Sequence, residues 1–136
     1  MAFTYRQQVL FRHCDPARIV FFPRYFEMLN DVVEAFFATI PGEAFHEIHP
    51  DQGVPTARIE TEFSAPSRHG DWLEFTLAFT RVGRSSASTR FVCTCDGEVR
   101  LTARSVLVHV GPDLRPAPWT EAAKEALLVH QEEEIA

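Results

Sequence analysis

The chain has 136 residues, 46% of them hydrophobic and 24% charged. That length and balance suit one domain with its own core, and they exclude both a disordered chain and a two-domain protein. The formal net charge of −6 argues against a general nucleic-acid binder, which needs a basic face.

Residues 3–12, FTYRQQVLFR, read as a first strand, so residues 1–12 form the opening element. From Pro23 the pattern turns helical over 22–40. Phe22, Phe26, Leu29, Val33, Phe36 or Phe37, and Ile40 recur at three- and four-residue spacing, with Arg24, Glu27, Asn30, Asp31 and Glu34 on the other side. Proline suits a first helical turn, where its missing N–H costs little, and Pro41-Gly42 closes the helix. Residues 43–52 are a short helix or loop. Residues 53–110 then carry strand-like runs separated by turns: GVPTARIETEFSA, WLEFTLAFTRV, SASTRFVCTC and EVRLTARSVLVHV. Asp96-Gly97 between the last two is a hairpin signal. GPDLRPAP is a loop, and residues 120–134 form a terminal helix with an acidic end.

A strand, a long apolar helix and about four consecutive antiparallel strands predict an α+β domain over 1–136. In it a curved antiparallel sheet wraps around the one helix long enough to cover its face. The 12 Phe against 2 Trp and 2 Tyr fill a thick core or line a pocket for an apolar group, the core being the simpler use. Cys93 and Cys95 lie two apart on a strand, so they share a face and read as packing residues. The odd number of cysteines, 3, and the lack of a basic-then-apolar leader predict a cytoplasmic protein. No apolar run reaches the roughly 18 residues of a membrane-spanning helix.

Chemistry concentrates at FRHCDPARIVFFPRYFEML, residues 11–29, where Asp15 stands between the first strand and the helix. On residue pattern alone, Asp15 is equally a turn residue before Pro16 held by local hydrogen bonds. His13 is close to it in sequence and could orient the loop. His46 and His49 have helical spacing, but no further ligand pattern completes a metal site, so surface or pocket-wall roles fit better. There is no nucleophile elbow, P-loop or dinucleotide fingerprint.

CDPARIVFFPRYFEML closely resembles the hotdog-fold thioesterases of the 4-hydroxybenzoyl-CoA type. In that family a strand ends in aspartate followed by Pro-Ala-Gly, Ile-Val, aromatics and a proline opening the central helix. APSRHGD between two strands, RVGRSS at the next turn and the long final strand fit the same order, and the resemblance spans about residues 5–112. It implies an acyl-CoA thioesterase of the cytoplasm that works without metal or redox cofactor, as a dimer or dimer of dimers. Asp15 would act as nucleophile or general base. An oxyanion donor would come from the helix N-terminus, where Phe22, Arg24 and Tyr25 are the candidates and the family favours the Phe22 N–H.

By the same resemblance, Arg84, Ser85 and Arg81 would hold the phosphates of the CoA nucleotide, with less weight on Arg68 and His69. The alternative for RVGRSS is a plain exposed turn. Phe21 and Phe26 would line the acyl pocket, with an aromatic acyl group such as 4-hydroxybenzoyl favoured over medium-chain ones. Arg18 departs from the family's glycine and would be strained if that position needs positive φ. A hydratase or dehydratase on the same fold is a rival disfavoured by the absence of histidine from the helix. A noncatalytic acyl-CoA binding module is the other.

Overall fold

Hairpins of consecutive strands build the centre of a five-stranded antiparallel sheet, in which Phe3–Gln8, Trp72–Val82, Ser86–Cys95, Glu98–Val108 and Thr56–Phe63 lie side by side in that order. The computed structural model describes residues 1–133. Its elements are β1 (Phe3–Gln8), α1 (Phe22–Ala38), α2 (Phe45–Ile48), β2 (Thr56–Phe63), β3 (Trp72–Val82), β4 (Ser86–Cys95), β5 (Glu98–Val108) and α3 (Glu121–Val129). Asp96 and Gly97 both have positive φ, 50° and 82°, as the tight hairpin between β4 and β5 requires.

Alternation makes one face of the sheet apolar. Ala87, Phe91, Cys93 and Cys95 on β4, and Leu101, Ala103 and Leu107 on β5, are all buried. Both cysteines are free, and burial pushes the Cys93 thiol up to about 12, as befits a packing residue. Helix α1 covers this face with Tyr25, Met28, Leu29, Val32, Val33, Phe36 and Phe37. The α+β architecture expected from the sequence is therefore present, a curved antiparallel sheet with one long helix against it.

Several boundaries differ from the sequence reading. The first strand ends at Gln8, and Phe11–His13 form a 3-10 turn instead of continuing it. Helix α1 stops at Ala38, where the Thr39 hydroxyl donates to the Phe36 carbonyl at 2.6 Å and the Thr39 N–H to the same turn. The terminal helix spans Glu121–Val129 rather than 120–134. Beyond it the chain pairs with β3, where Phe79 N–H donates to His130 O at 3.0 Å and Glu132 N–H to Phe79 O at 2.8 Å. Residue 134 lies outside the described residues.

The buried stripe of α1 also starts later than periodicity suggested. Phe22 is 57% exposed and Tyr25 only 4%, because Tyr25 can bury its ring while bonding its hydroxyl to Ser67. Among the described residues, strand β2 forms one edge of the sheet and pairs with β5 alone. Its inward residues Ile59 and Phe63 are half exposed, at 41% and 47%. No helix among the described residues is long and apolar enough to cross a membrane.

Candidate active site

The segment between β1 and α1 folds as a small hairpin. Phe21 N–H donates to His13 O at 2.9 Å and Asp15 N–H to Ile19 O at 3.0 Å, with Cys14 opposite Val20. The tip is closed by Arg18 N–H to Asp15 O at 2.8 Å. Asp15 Oδ1 accepts from Ala17 N–H at 2.8 Å, the local turn that an Asp before proline favours. The turn role open for Asp15 on sequence is thus real, and it occupies one carboxylate oxygen. Oδ2 has no hydrogen-bond partner among the described residues.

The base of the hairpin is the start of the helix, since Phe21 is the N-cap of α1 and Pro23 stands in its first turn. Of the three candidate donors, Arg24 N–H is already used by Phe21 O at 2.8 Å, and Tyr25 N–H falls within the helical ladder. Phe22 is the first helical residue, so its N–H has no intrahelical acceptor. It points out of the positive end of a 17-residue helix. An acid and an unpaired donor therefore belong to one hydrogen-bonded unit.

His13 fixes that unit. It is 3% exposed, and its Nδ1 accepts from Leu10 N–H at 2.8 Å. Burial, with the Arg12 and Arg24 guanidiniums nearby, holds the imidazole below its ordinary pKa, which keeps Nδ1 an acceptor. His13 thus orients the loop.

A second turn, between β2 and β3, packs on the hairpin. Val20 N–H donates to Ser67 O at 2.9 Å, and Ile19 bridges Arg68. This turn is tied down by Arg100, whose Nη1 donates to Pro66 O at 3.1 Å, Ser67 Oγ at 3.1 Å and Asp71 Oδ2 at 2.8 Å. Arg100 Nε lies 2.7 Å from Glu98 Oε1, but off the hydrogen-bond axis, so that contact is an ion pair alone. The Arg68 N–H, 2.9 Å from Asp71 Oδ2, and the Arg100 guanidinium hold the Asp71 carboxyl below the usual range.

The unfolded chain binds that proton more readily than the native one. Asp71 therefore stabilises the fold fully above about pH 4, and its contribution is lost as pH falls through the lowered native value. Asp71→Asn should cost about 1 kcal/mol at neutral pH, discounted for partial exposure. In urea titrations at a series of pH values, the gap to wild type should close below about pH 4.

These two turns flank an open pocket of about 590 Å³ lined by Phe11, Cys14, Asp15, Pro16, Arg18 and His69. Arg18 sits at φ 70°, the left-handed region that disfavours residues with a Cβ. Arg18→Gly should therefore raise stability by about 1 kcal/mol, read as a higher urea midpoint. The sequence reading gave His69 little weight and did not connect it with Asp15, because only the packing of two distant turns joins them.

The aromatic residues gather elsewhere. Phe21 packs on Phe22 (5.7 Å between ring centres), and Phe63 meets Phe22, Tyr25 and Phe26 at 6.2, 5.6 and 6.3 Å. Neither Phe21 nor Phe26 lines the Asp15 pocket. The sequence reading missed Phe63, although its place in the alternation of β2, on the face shared with Ile59, was a usable signal.

Arg81, Arg84 and Ser85 are not brought to Asp15 within this chain. They lie at the β3–β4 turn, where Arg84 O accepts from Trp119 N–H at 3.0 Å and Ser85 O from His109 N–H at 2.7 Å. The turn beside Asp15 precedes Trp72, at the other end of β3, so the two are separated by about 33 Å of strand. His46 is exposed, and His49 Nδ1 bonds Phe45 O at 2.7 Å. No group of three metal-ligating side chains forms among the described residues.

The fold has solved counterparts. A Staphylococcus aureus protein crystallised with CoA superposes with a TM-score of 0.89 at 17% identity, over 100% of this chain and 89% of that one. A 1,4-dihydroxy-2-naphthoyl-CoA thioesterase from Synechocystis gives 0.84 at 21% identity, over 94% and 96% of the two chains. A 4-hydroxybenzoyl-CoA thioesterase variant bound to 4-hydroxybenzoyl-CoA gives 0.84 at 19%, over 93% and 98%. No curated protein matches the chain. The model of the Thioesterase-like superfamily matches residues 9–127, a span that takes in the hairpin, the helix and every strand but β1. The chain accordingly belongs to that superfamily, as a thioester hydrolase on a hotdog fold.

Proposed function

We propose that the protein hydrolyses an acyl-CoA to the free acid and CoA, with Asp15 as the acid that starts the reaction and the Phe22 N–H as the oxyanion donor. The observation that carries this reading is their attachment to one hydrogen-bonded hairpin, with Asp15 Oδ2 and the Phe22 N–H both unengaged among the described residues. Attack on a thioester carbonyl moves negative charge onto its oxygen. A fixed N–H at a helix N-terminus stabilises that charge without having to reorganise. Asp15 either adds to the carbonyl, giving a mixed anhydride that water opens, or takes a proton from the attacking water. Both routes need only a carboxylate and a donor, so the reaction runs without metal or redox cofactor.

The acyl group is taken to be aromatic, such as 4-hydroxybenzoyl. The cluster of Phe21, Phe22, Tyr25, Phe26 and Phe63 beside the donor supports this, and so do the aryl-CoA thioesterases among the structural counterparts. CoA is the substrate's carrier, consistent with the CoA-bound counterpart. Arg84, Ser85 and Arg81, too far from Asp15 in one chain, serve the nucleotide phosphates of a substrate seated on a neighbouring copy. That assignment requires an oligomer, a dimer or a homotetramer. The free edge and exposed Ile59 and Phe63 of β2 offer such a contact. We infer a cytoplasmic location, which the free Cys14, Cys93 and Cys95 support.

The test is thiol release from benzoyl-, 4-hydroxybenzoyl-, phenylacetyl-, acetyl- and octanoyl-CoA. Turnover with an aryl preference is expected. Tight CoA binding with no turnover on any of them would instead favour a noncatalytic acyl-CoA binding module.

A further inference from the structure

Arg18 keeps a backbone conformation that its side chain disfavours. Its φ of 70° lies where glycine is at ease and a residue with a Cβ is not. Such an outlier, held in the loop that carries the acid, points to a use for the side chain. Two contacts fix where it stands. Ile19 pairs antiparallel with Arg68, and Val20 N–H donates to Ser67 O at 2.9 Å, so the register sets Arg18 opposite His69. Both line the open pocket that holds Asp15, and the His69 ring meets Phe11 edge-on at 6.4 Å across it. Among the described residues the Arg18 guanidinium has no hydrogen bond or ion pair, not even with Asp15 in the same loop.

Phe21 and Phe26 lie outside this pocket. A carbonyl held between Asp15 Oδ2 and the Phe22 N–H therefore turns its acyl group toward the aromatic cluster and its sulfur toward Phe11, Cys14 and Arg18. We infer that Arg18 is a further catalytic residue, whose guanidinium stabilises the thiolate as it leaves. The inference rests on the thioesterase reading above. Once Asp15 Oδ2 has bonded to the carbonyl carbon, the intermediate can break either of two bonds. A carboxylate is a weaker base than an alkyl thiolate by about 4–5 pKa units, so without help it leaves first and the addition reverses. A fixed cation beside the sulfur favours the other break. The C–S electron pair then stays on sulfur, and the acyl group stays on Asp15 as the mixed anhydride. Water opens the anhydride, returns the carboxylate and releases the proton that the thiolate takes up. Arg18 keeps its own protons throughout.

The experiment compares wild type with Arg18→Gly, which relieves the backbone strain, so that lost activity beside a held or raised urea midpoint is not a folding defect. Its readout is kcat/KM for benzoyl-CoA, S-benzoyl-N-acetylcysteamine and S-benzoyl-4-nitrothiophenol, the last having a thiol acidic enough to leave unaided. Arg18→Gly should lower the first two at least about tenfold and leave the third within about twofold of wild type. An equal fall on all three would mean that Arg18 only shapes the loop, and would overturn the inference. A fall with benzoyl-CoA alone would also overturn it, since the guanidinium would then be holding the phosphates of CoA. Unchanged values on all three overturn it and leave the thioesterase reading standing. No thiol release from any of the three by wild type removes both readings.

Discussion

Asp15→Asn should lower kcat at least about a hundredfold, some 2.7 kcal/mol of transition-state stabilisation, while leaving the fold and KM nearly untouched. The substitution is informative because of how Asp15 is held. Its Oδ1 accepts from Ala17 N–H, and an asparagine carbonyl can accept the same bond, so the turn and the hairpin survive. What is lost is the charge, and with it both the nucleophile and the general base. A fall in kcat with thermal stability preserved places the residue in the chemistry. Asp15→Ala would confound the two effects, since it removes the turn contact as well. A loss under about fivefold in Asp15→Asn would take the carboxylate out of the mechanism and leave Asp15 as a turn residue only.

Phe36→Ala should produce the largest loss of stability, about 3–5 kcal/mol, or a fall in Tm of roughly 10–20 °C for a chain of this size. Phe36 is fully buried, and its ring lies 5.6, 5.2, 5.0 and 5.1 Å from those of Phe3, Phe37, Phe79 and His130. It therefore locks α1 to β1, β3 and the segment after α3 at a single point. Phe36 is fourteen residues along α1 from Phe22, about 21 Å. At temperatures where the variant stays folded, kcat should remain within about twofold of wild type, as expected of distant independent sites. Calorimetry beside a thiol-release assay separates the two quantities. A kcat that falls with stability would mean that the helix mouth moves when its far end is loosened.

Local signals carried much of this structure. Asp96-Gly97 specified a hairpin, alternation specified which face of β4 and β5 is buried, and Pro23 marked the first turn of α1. The residues around Asp15 were legible as a group because the acid and the helix mouth are close in sequence. Features made by distant packing were not. His69 reaches the Asp15 pocket because Ile19 and Val20 dock on residues 67 and 68, a contact that leaves no periodic trace. Phe22 fits the helical spacing but stays exposed, because it is the first residue of the helix and its ring meets the half-exposed Phe21 and Phe63 instead of the buried face. The distance of Arg84 and Ser85 from Asp15 follows from the length of β3, once the strand is placed between the two turns. The left-handed Arg18 was foreseeable only by comparison with a glycine at that position.

Strand β2 has a further consequence for how the chain is made. Thr56–Phe63 pairs with β5, which is synthesised roughly forty residues later. During that interval the strand has no partner, and its inward face offers Ile59 and Phe63 to any other strand nearby. Arg58, Glu60 and Glu62 alternate with those residues along the same eight positions, so the nascent segment carries charge on every second side chain. Charged side chains spaced in this way disfavour pairing with other strands, so the outward face of this edge has a use before β5 leaves the ribosome.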